Sequence, residues 1–175
     1  MSSKILFILH LPPPIHGAAM MGKYIQESEL VNSSFDCFCI NLATAGSLSD
    51  IGHISLKKLL KYFFLLKHIS HVVREIRPEL VYITPNAGGK AFFKDFIVVQ
   101  MLKSMGCKVI AHYHNKGVSV YQSKWVYNFF YKRFFSNLKV ILLAENLYKD
   151  IAKYVKREDV YICPNGIPNL RKGEF

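Results

Sequence analysis

Six short, nearly continuous apolar runs recur along the chain, separated by longer stretches of helical periodicity, and this alternation leaves few folds open. The runs lie at residues 4–10, 36–42, 79–84, 107–113, 139–143 and 159–163. Strands that are apolar at successive positions, rather than at every second one, are buried on both faces. Between them lie helical patterns at 17–31, 54–76, 88–105, 119–135 and 144–155. In the second of these, Leu56, Leu59, Leu60, Phe63, Leu66 and Val73 share a face and are expected to meet the core. Arg77-Pro78 stops that helix before the next strand. Such alternation predicts an α/β fold, a Rossmann-like doubly wound parallel sheet of about six strands with helices on both faces. No internal domain boundary interrupts residues 1–167.

A chain of 175 residues with 51% hydrophobic content can bury a sizeable core, which argues against disorder and against a disulfide scaffold. Cys37, Cys39, Cys107 and Cys163 sit within apolar runs, with no C-x-x-C pair or Cys/His cluster. They read as buried thiols of a reducing compartment, not as metal ligands. Lys61 and Lys67 interrupt the most apolar stretch, so no run is expected to span a bilayer. The apolar segment after Lys4 is short and ends in Pro12-Pro13-Pro14 rather than at a small-x-small cleavage site, which argues against a secretory signal. The expected compartment is the cytoplasm.

A net charge of +11 attracts phosphates, whether of nucleotide sugars, anionic lipid headgroups or nucleic acid. Nucleic acid is the least suited of these. Its binders offer stacked aromatics on an open sheet face or a basic recognition helix, whereas this sheet is expected to be covered on both sides.

In a doubly wound sheet, ligands bind beyond the carboxyl ends of the strands, so chemistry is sought in the loops there. The loop after the first strand is proline-rich and delivers His16, Gly17 and Ala18 to a helix start, where small residues let a phosphate approach free backbone N–H groups. It is neither a dinucleotide fingerprint nor a Walker loop. The fourth strand ends in His112-Tyr113-His114-Asn115, and alternation puts both histidines on one side. An imidazole there can bind a sugar hydroxyl or a phosphate, or act as acid or base, and His114 lies nearest the expected cleft. The third strand ends in a loop with Asn86, Gly88, Gly89 and Lys90, suited either to an anion or to a plain connection. Glu145 begins the last helical pattern, where a carboxylate suits the helix dipole.

The last strand runs into Pro164-Asn165-Gly166-Ile167, a turn built from fixed and left-handed backbone conformers. Taken in order, the Gly/Ala loop, the aromatic-His strand end, Ala144-Glu145 and this turn resemble the amino-terminal domain of GT-B glycosyltransferases of family 4. The likeness covers about residues 4–167. It implies a retaining hexosyltransferase that moves a sugar from a nucleotide diphosphate sugar to an acceptor hydroxyl, as in bacterial cell-surface polysaccharide or glycolipid synthesis. By the same resemblance, Gly17 and Ala18 match a Gly-Gly loop against the donor diphosphate, and His114 matches a histidine that contacts the transferred sugar or its phosphate. Ala144-Glu145 matches a Ser-Glu, while Pro164, Asn165 and Gly166 match the interdomain hinge. Residues 168–175 would then begin a linker, and the donor-binding domain, with its acidic pair and phosphate clamp, is expected to be absent from this sequence. The isolated chain is accordingly expected to be inactive. No metal or other cofactor is implied, and no Asp-x-Asp occurs. A sugar-nucleotide epimerase half and a non-catalytic single-domain module are the alternatives.

Two helical patterns combine aromatic and basic residues. One carries Lys124, Trp125, Lys132 and Arg133, and the other carries Lys57, Lys61, His68 and His71 beside Tyr62 and Phe64. Such helices suit contact with an anionic membrane surface, where a lipid-linked acceptor would be met.

Overall fold

The computed structural model describes residues 2–42 and 56–166. Its core is a single all-parallel sheet of β1 (Lys4–Leu9), β2 (Asp36–Asn41), β3 (Leu80–Ile83), β4 (Val109–Tyr113), β5 (Lys139–Leu142) and β6 (Val160–Ile162), in the order β2-β1-β3-β4-β5-β6. The helices are α1 (Gly17–Gln26), α2 (Glu29–Ser34), α3 (Leu56–Ile76), α4 (Gly89–Ser104), α5 (Val118–Tyr121), α6 (Trp125–Phe135) and α7 (Tyr148–Ile151). Strand order reverses between β1 and β3, because the chain steps outward to β2 and then crosses back over β1. That reversal is the topological switch point of a doubly wound sheet, and it opens a crevice at the carboxyl edge.

The alternation of β1 explains its unbroken apolarity. Leu6 and Ile8 point into the larger core, formed with Val81, Ile83, Ala111, Tyr113 and Val140 beneath α3, α4 and α6. Ile5, Phe7 and Leu9 point to the opposite face, where they meet Ile25, Val31, Leu80 and Tyr82 under α1 and α2. Cover on that second face thins beyond β4. Lys139 and Tyr161 are exposed there, and Lys139 Nζ donates to Tyr161 Oη at 2.9 Å. The expectation of a fully covered sheet is therefore corrected at the β5–β6 end.

Several local expectations change as well. The first helical pattern breaks into α1 and α2, because Ser28 caps a new helix by accepting from Val31 N at 3.3 Å. The pattern at 119–135 splits into α5 and α6, and that at 144–155 begins as a 3-10 turn at Glu145–Leu147. None of the four cysteines is buried as expected: Cys37 and Cys107 are half-buried, and Cys39 and Cys163 are exposed, because Cys39 lies on an edge strand and Cys163 just past the opposite edge strand. The four thiols are free.

The largest correction concerns α3. Its inward face is Tyr62, Leu66, Ile69 and Val73, whereas Leu56, Leu59, Leu60 and Phe63 are exposed. The helix carries two apolar stripes, and the one headed by Tyr62 docks. The Tyr62 hydroxyl is not part of a surface stripe but donates to Lys94 O on α4 at 2.6 Å.

Two glycines set the spacing of the layers. A Cβ at Gly22 would stand 2.2 Å from the carbonyl oxygen of His10, so only glycine lets α1 lie this close to the end of β1. A Cβ at Gly88 would meet the Tyr121 ring at 2.4 Å.

Candidate functional site

The loops at the carboxyl ends of β1, β3 and β4 converge on the switch point and are braced against one another. His10 N donates to Thr84 Oγ1 at 3.4 Å, joining the ends of β1 and β3. Ala87 N donates to Asn115 Oδ1 at 3.1 Å, joining the loops after β3 and β4. From below, Tyr131 of α6 donates to Ala87 O at 2.6 Å, its ring buried against Phe92 at 4.6 Å between centroids. Asp150 buttresses the loop beyond His114. Its Oδ2 accepts from Gly117 N at 2.9 Å and Val118 N at 3.0 Å, and its Oδ1 accepts from Ser119 N at 3.0 Å and Ser119 Oγ at 2.5 Å. Burial alone would raise the Asp150 carboxyl, but these donors outweigh it and hold the group below its ordinary range.

His112 of β4 and His114 just beyond its end form a tilted ring pair, with centroids 4.3 Å apart and planes inclined at 37°. The Tyr82 phenol is kept protonated by burial and shares a short hydrogen bond with His112 Nδ1. The phenol is therefore the donor, and His112 carries its proton on Nε2, which is enclosed and has no hydrogen-bond partner among the described residues. Burial and the neighbouring His114 lower the His112 pKa to about 4.

His114 has the opposite arrangement. Its Nδ1 lies 3.1 Å from Asn165 Oδ1, an acceptor, so Nδ1 carries the proton. Nε2 is enclosed, has no partner among the described residues and is left with a lone pair. Burial lowers the His114 pKa, the Asn165 bond opposing it, so the ring is neutral at physiological pH. A neutral imidazole presenting Nε2 as an acceptor can take a hydrogen bond, or a proton, from a hydroxyl group.

At the other side of the crevice, His16 caps α1 by accepting from Ala19 N at 3.3 Å through Nδ1. Among the described residues, nothing lies within 4 Å of where a Cβ on Gly17 would project. Gly17 is exposed, and its described surroundings leave room at the helix start for an approaching group. His10, absent from the candidate residues above, lies 6.1 Å from the His16 ring, and its Nε2 is also enclosed without a partner among the described residues. Burial, followed by the charges of His16, Lys94 and His114, lowers its pKa to about 4. The available signal was its position as the last residue of an apolar run.

Of the remaining predicted residues, Asn86, Gly88 and Glu145 are engaged within the protein. Asn86 donates to Asp95 Oδ2 from its backbone N at 2.7 Å and from Nδ2 at 2.8 Å. Burial keeps the Asp95 carboxyl at about 6 despite those bonds. Gly88 makes room for Tyr121, and Gly89 adopts a φ of +68° that glycine accepts without strain. Lys90, in the first turn of α4, is exposed. Both Glu145 oxygens pair with Arg157, at 2.8 Å to Nε and 2.7 Å to its terminal nitrogen. Pro164, Asn165 and Gly166 follow β6 as exposed chain, while Ile167 and residues 168–175 lie outside the described residues. Among the described residues, no group of three or more His, Cys, Asp or Glu is arranged to hold a metal ion.

Comparison with protein-family models, with curated proteins and with solved structures finds no match for this chain. The functional reading therefore rests on the residues and their geometry.

Proposed function

We propose that this chain is the acceptor-side domain of a glycosyltransferase that moves a sugar from a nucleotide diphosphate sugar to an acceptor hydroxyl. The observation that carries the reading is His114: a neutral imidazole at the carboxyl end of β4, oriented by Asn165 through Nδ1, with an enclosed and unpartnered Nε2. Further support comes from the start of α1, where His16 occupies Ala19 N but the exposed Gly17 leaves room for a phosphate to approach the remaining first-turn N–H groups.

In sugar transfer, positive charge develops on the ring as negative charge develops on the departing diphosphate. Catalysis then depends on donors aimed at that phosphate and on the positioning of the hydroxyl groups. The α1 start and the net positive charge serve the first requirement, and His114 Nε2 serves the second by accepting from a sugar hydroxyl. A second domain holding most of the nucleotide completes the site in this reading, with residues 164–166 as the hinge. The matching setting is the cytoplasm, at the inner face of a membrane, in polysaccharide or glycolipid synthesis.

The test uses the protein translated through whatever follows Phe175 in its reading frame, supplied with nucleotide sugars and candidate acceptors. Acceptor-dependent release of a nucleoside diphosphate is the expected result. His114→Ala should lower turnover at least about tenfold, as for loss of a positioned polar group in a transition state, with the melting temperature nearly unchanged. Conversion of the nucleotide sugar into an epimer with no acceptor present would overturn the transferase reading in favour of an epimerase.

A further inference from the structure

The first turns of α3 carry an apolar surface that stays exposed among the described residues. Leu56, Leu59, Leu60, Phe63 and Phe64 are each between 51% and 73% exposed. At 100° per residue measured from the inward Tyr62, they fall at about 60°, 100°, 120°, 160° and 200° around the helix, in the order Leu59, Phe63, Leu56, Leu60, Phe64. They form one continuous stripe facing away from the core.

The charges around that stripe are of one sign. Lys67 lies at about 140°, Lys57 at about 220° and Lys61 at about 260° on the same scale. Lys67 Nζ sits 4.7 Å from the centroid of the Phe63 ring. Glu75 is the only acidic residue of α3, and His71 on the preceding turn pairs with it at 3.5 Å.

The topology places this stripe next to the candidate site. In an all-parallel sheet each crossover helix starts at the carboxyl edge of the strands, so the first turns of α3 lie at the edge that holds the histidines. The start of α6 lies at that edge too, and there Trp125 is 80% exposed. An apolar stripe bordered on one side by Lys57 and Lys61 and followed along the helix by Lys67, on a helix lying against the protein, has the make-up of an interfacial helix. Its rings and leucines enter the headgroup boundary while its ammonium groups meet anionic lipid. Among the described residues no helix is long and apolar enough to cross a membrane, so the fitting mode is lying on the surface.

We propose that the first three turns of α3 dock the protein on an anionic bilayer, with Leu59, Phe63 and Phe64 inserted and Lys57, Lys61 and Lys67 at the headgroups. This inference stands on the surface alone and does not depend on the transferase chemistry.

The experiment is sedimentation of the full chain with vesicles of equimolar phosphatidylglycerol and phosphatidylcholine, compared with phosphatidylcholine alone. Binding to the anionic vesicles is expected, weakening as salt rises, because attraction to the surface is screened within about 8 Å at physiological ionic strength. The triple variant Leu59→Ser, Phe63→Ser, Phe64→Ser and the triple variant Lys57→Glu, Lys61→Glu, Lys67→Glu should each weaken binding at least about tenfold. Should the serine variant melt early, the glutamate variant carries the test with exposed groups alone. Absence of binding at low salt, or parental binding by either folded variant, overturns the proposal. Concentration-dependent dimerisation abolished by the serine variant, without vesicle binding, overturns it too and assigns the stripe to a second copy.

Discussion

His114 at the end of β4 and Asn165 beyond β6, 51 residues apart in sequence, share a 3.1 Å contact between Nδ1 and Oδ1 that determines which imidazole nitrogen carries the proton. The consequence is a lone pair on the enclosed Nε2. A histidine presented as an acceptor binds hydroxyl groups, whereas the opposite tautomer would favour phosphate.

Asn165→Ala should release that choice. Nitrogen chemical shifts of the His114 ring at neutral pH are expected to change from those of a single Nδ1–H tautomer to a mixture. Because Asn165 is exposed, the melting temperature should move by no more than about 2 °C. An unchanged spectrum would mean that another group orients the ring.

Asp95 predicts a pH dependence of stability with a definite sign. Its carboxyl is raised to about 6 in the folded protein, so between the ordinary carboxylate range and that value the folded chain holds a proton that the unfolded chain has released. Raising the pH through this window therefore removes stability, and the loss is complete above about 6. Asp95→Asn can keep both Asn86 bonds through its carbonyl oxygen while abolishing the titration. Urea midpoints of the parent should fall relative to the variant across that window, and parallel curves would contradict the assignment.

The glycines should separate into two classes. Gly22→Ala forces a Cβ onto a main-chain carbonyl and should cost at least about 2 kcal/mol, read as a lowered denaturation midpoint. Gly17→Ala meets only open space among the described residues and should leave stability unchanged or raise it by up to about 1 kcal/mol, while lowering nucleotide-sugar turnover. Equal effects at the two positions would remove the case that Gly17 is reserved for a ligand.

Trp125 is the only tryptophan of the chain and reports directly on α6. If α6 shares the bilayer-facing edge with α3, its emission should shift to the blue on addition of anionic vesicles, as the ring leaves water. Unchanged emission under conditions where the chain sediments would confine the docking surface to α3.

The candidate site was partly legible. The loops at Gly17, Asn86 and His114 could be located because strand ends are marked by where apolar runs stop, and parallel topology assigns those ends to one edge. The roles of the residues could not be read so directly. Asn86 and Asn115 look like ligand-binding amides in sequence, yet they hold Asp95 and Ala87 N. His10 was hidden in its strand run, and its meeting with His16 depends on how closely α1 approaches at Gly22.

The sequence by itself determined the alternation of strands and helices, the parallel doubly wound class, and the stop of α3 at Arg77-Pro78. Each of these follows from interactions within a few residues: backbone preferences, turn chemistry, and the spacing that brings side chains to one face. Only the tertiary structure decided that strand order reverses between β1 and β3, that the Tyr62 stripe of α3 turns inward while the Leu59 stripe stays outside, and that Asn165 reaches His114. Those outcomes depend on which distant surfaces pack together. A periodic pattern specifies that a face is apolar but carries no record of its partner, and a histidine's tautomer is set by whichever group the fold brings to its ring.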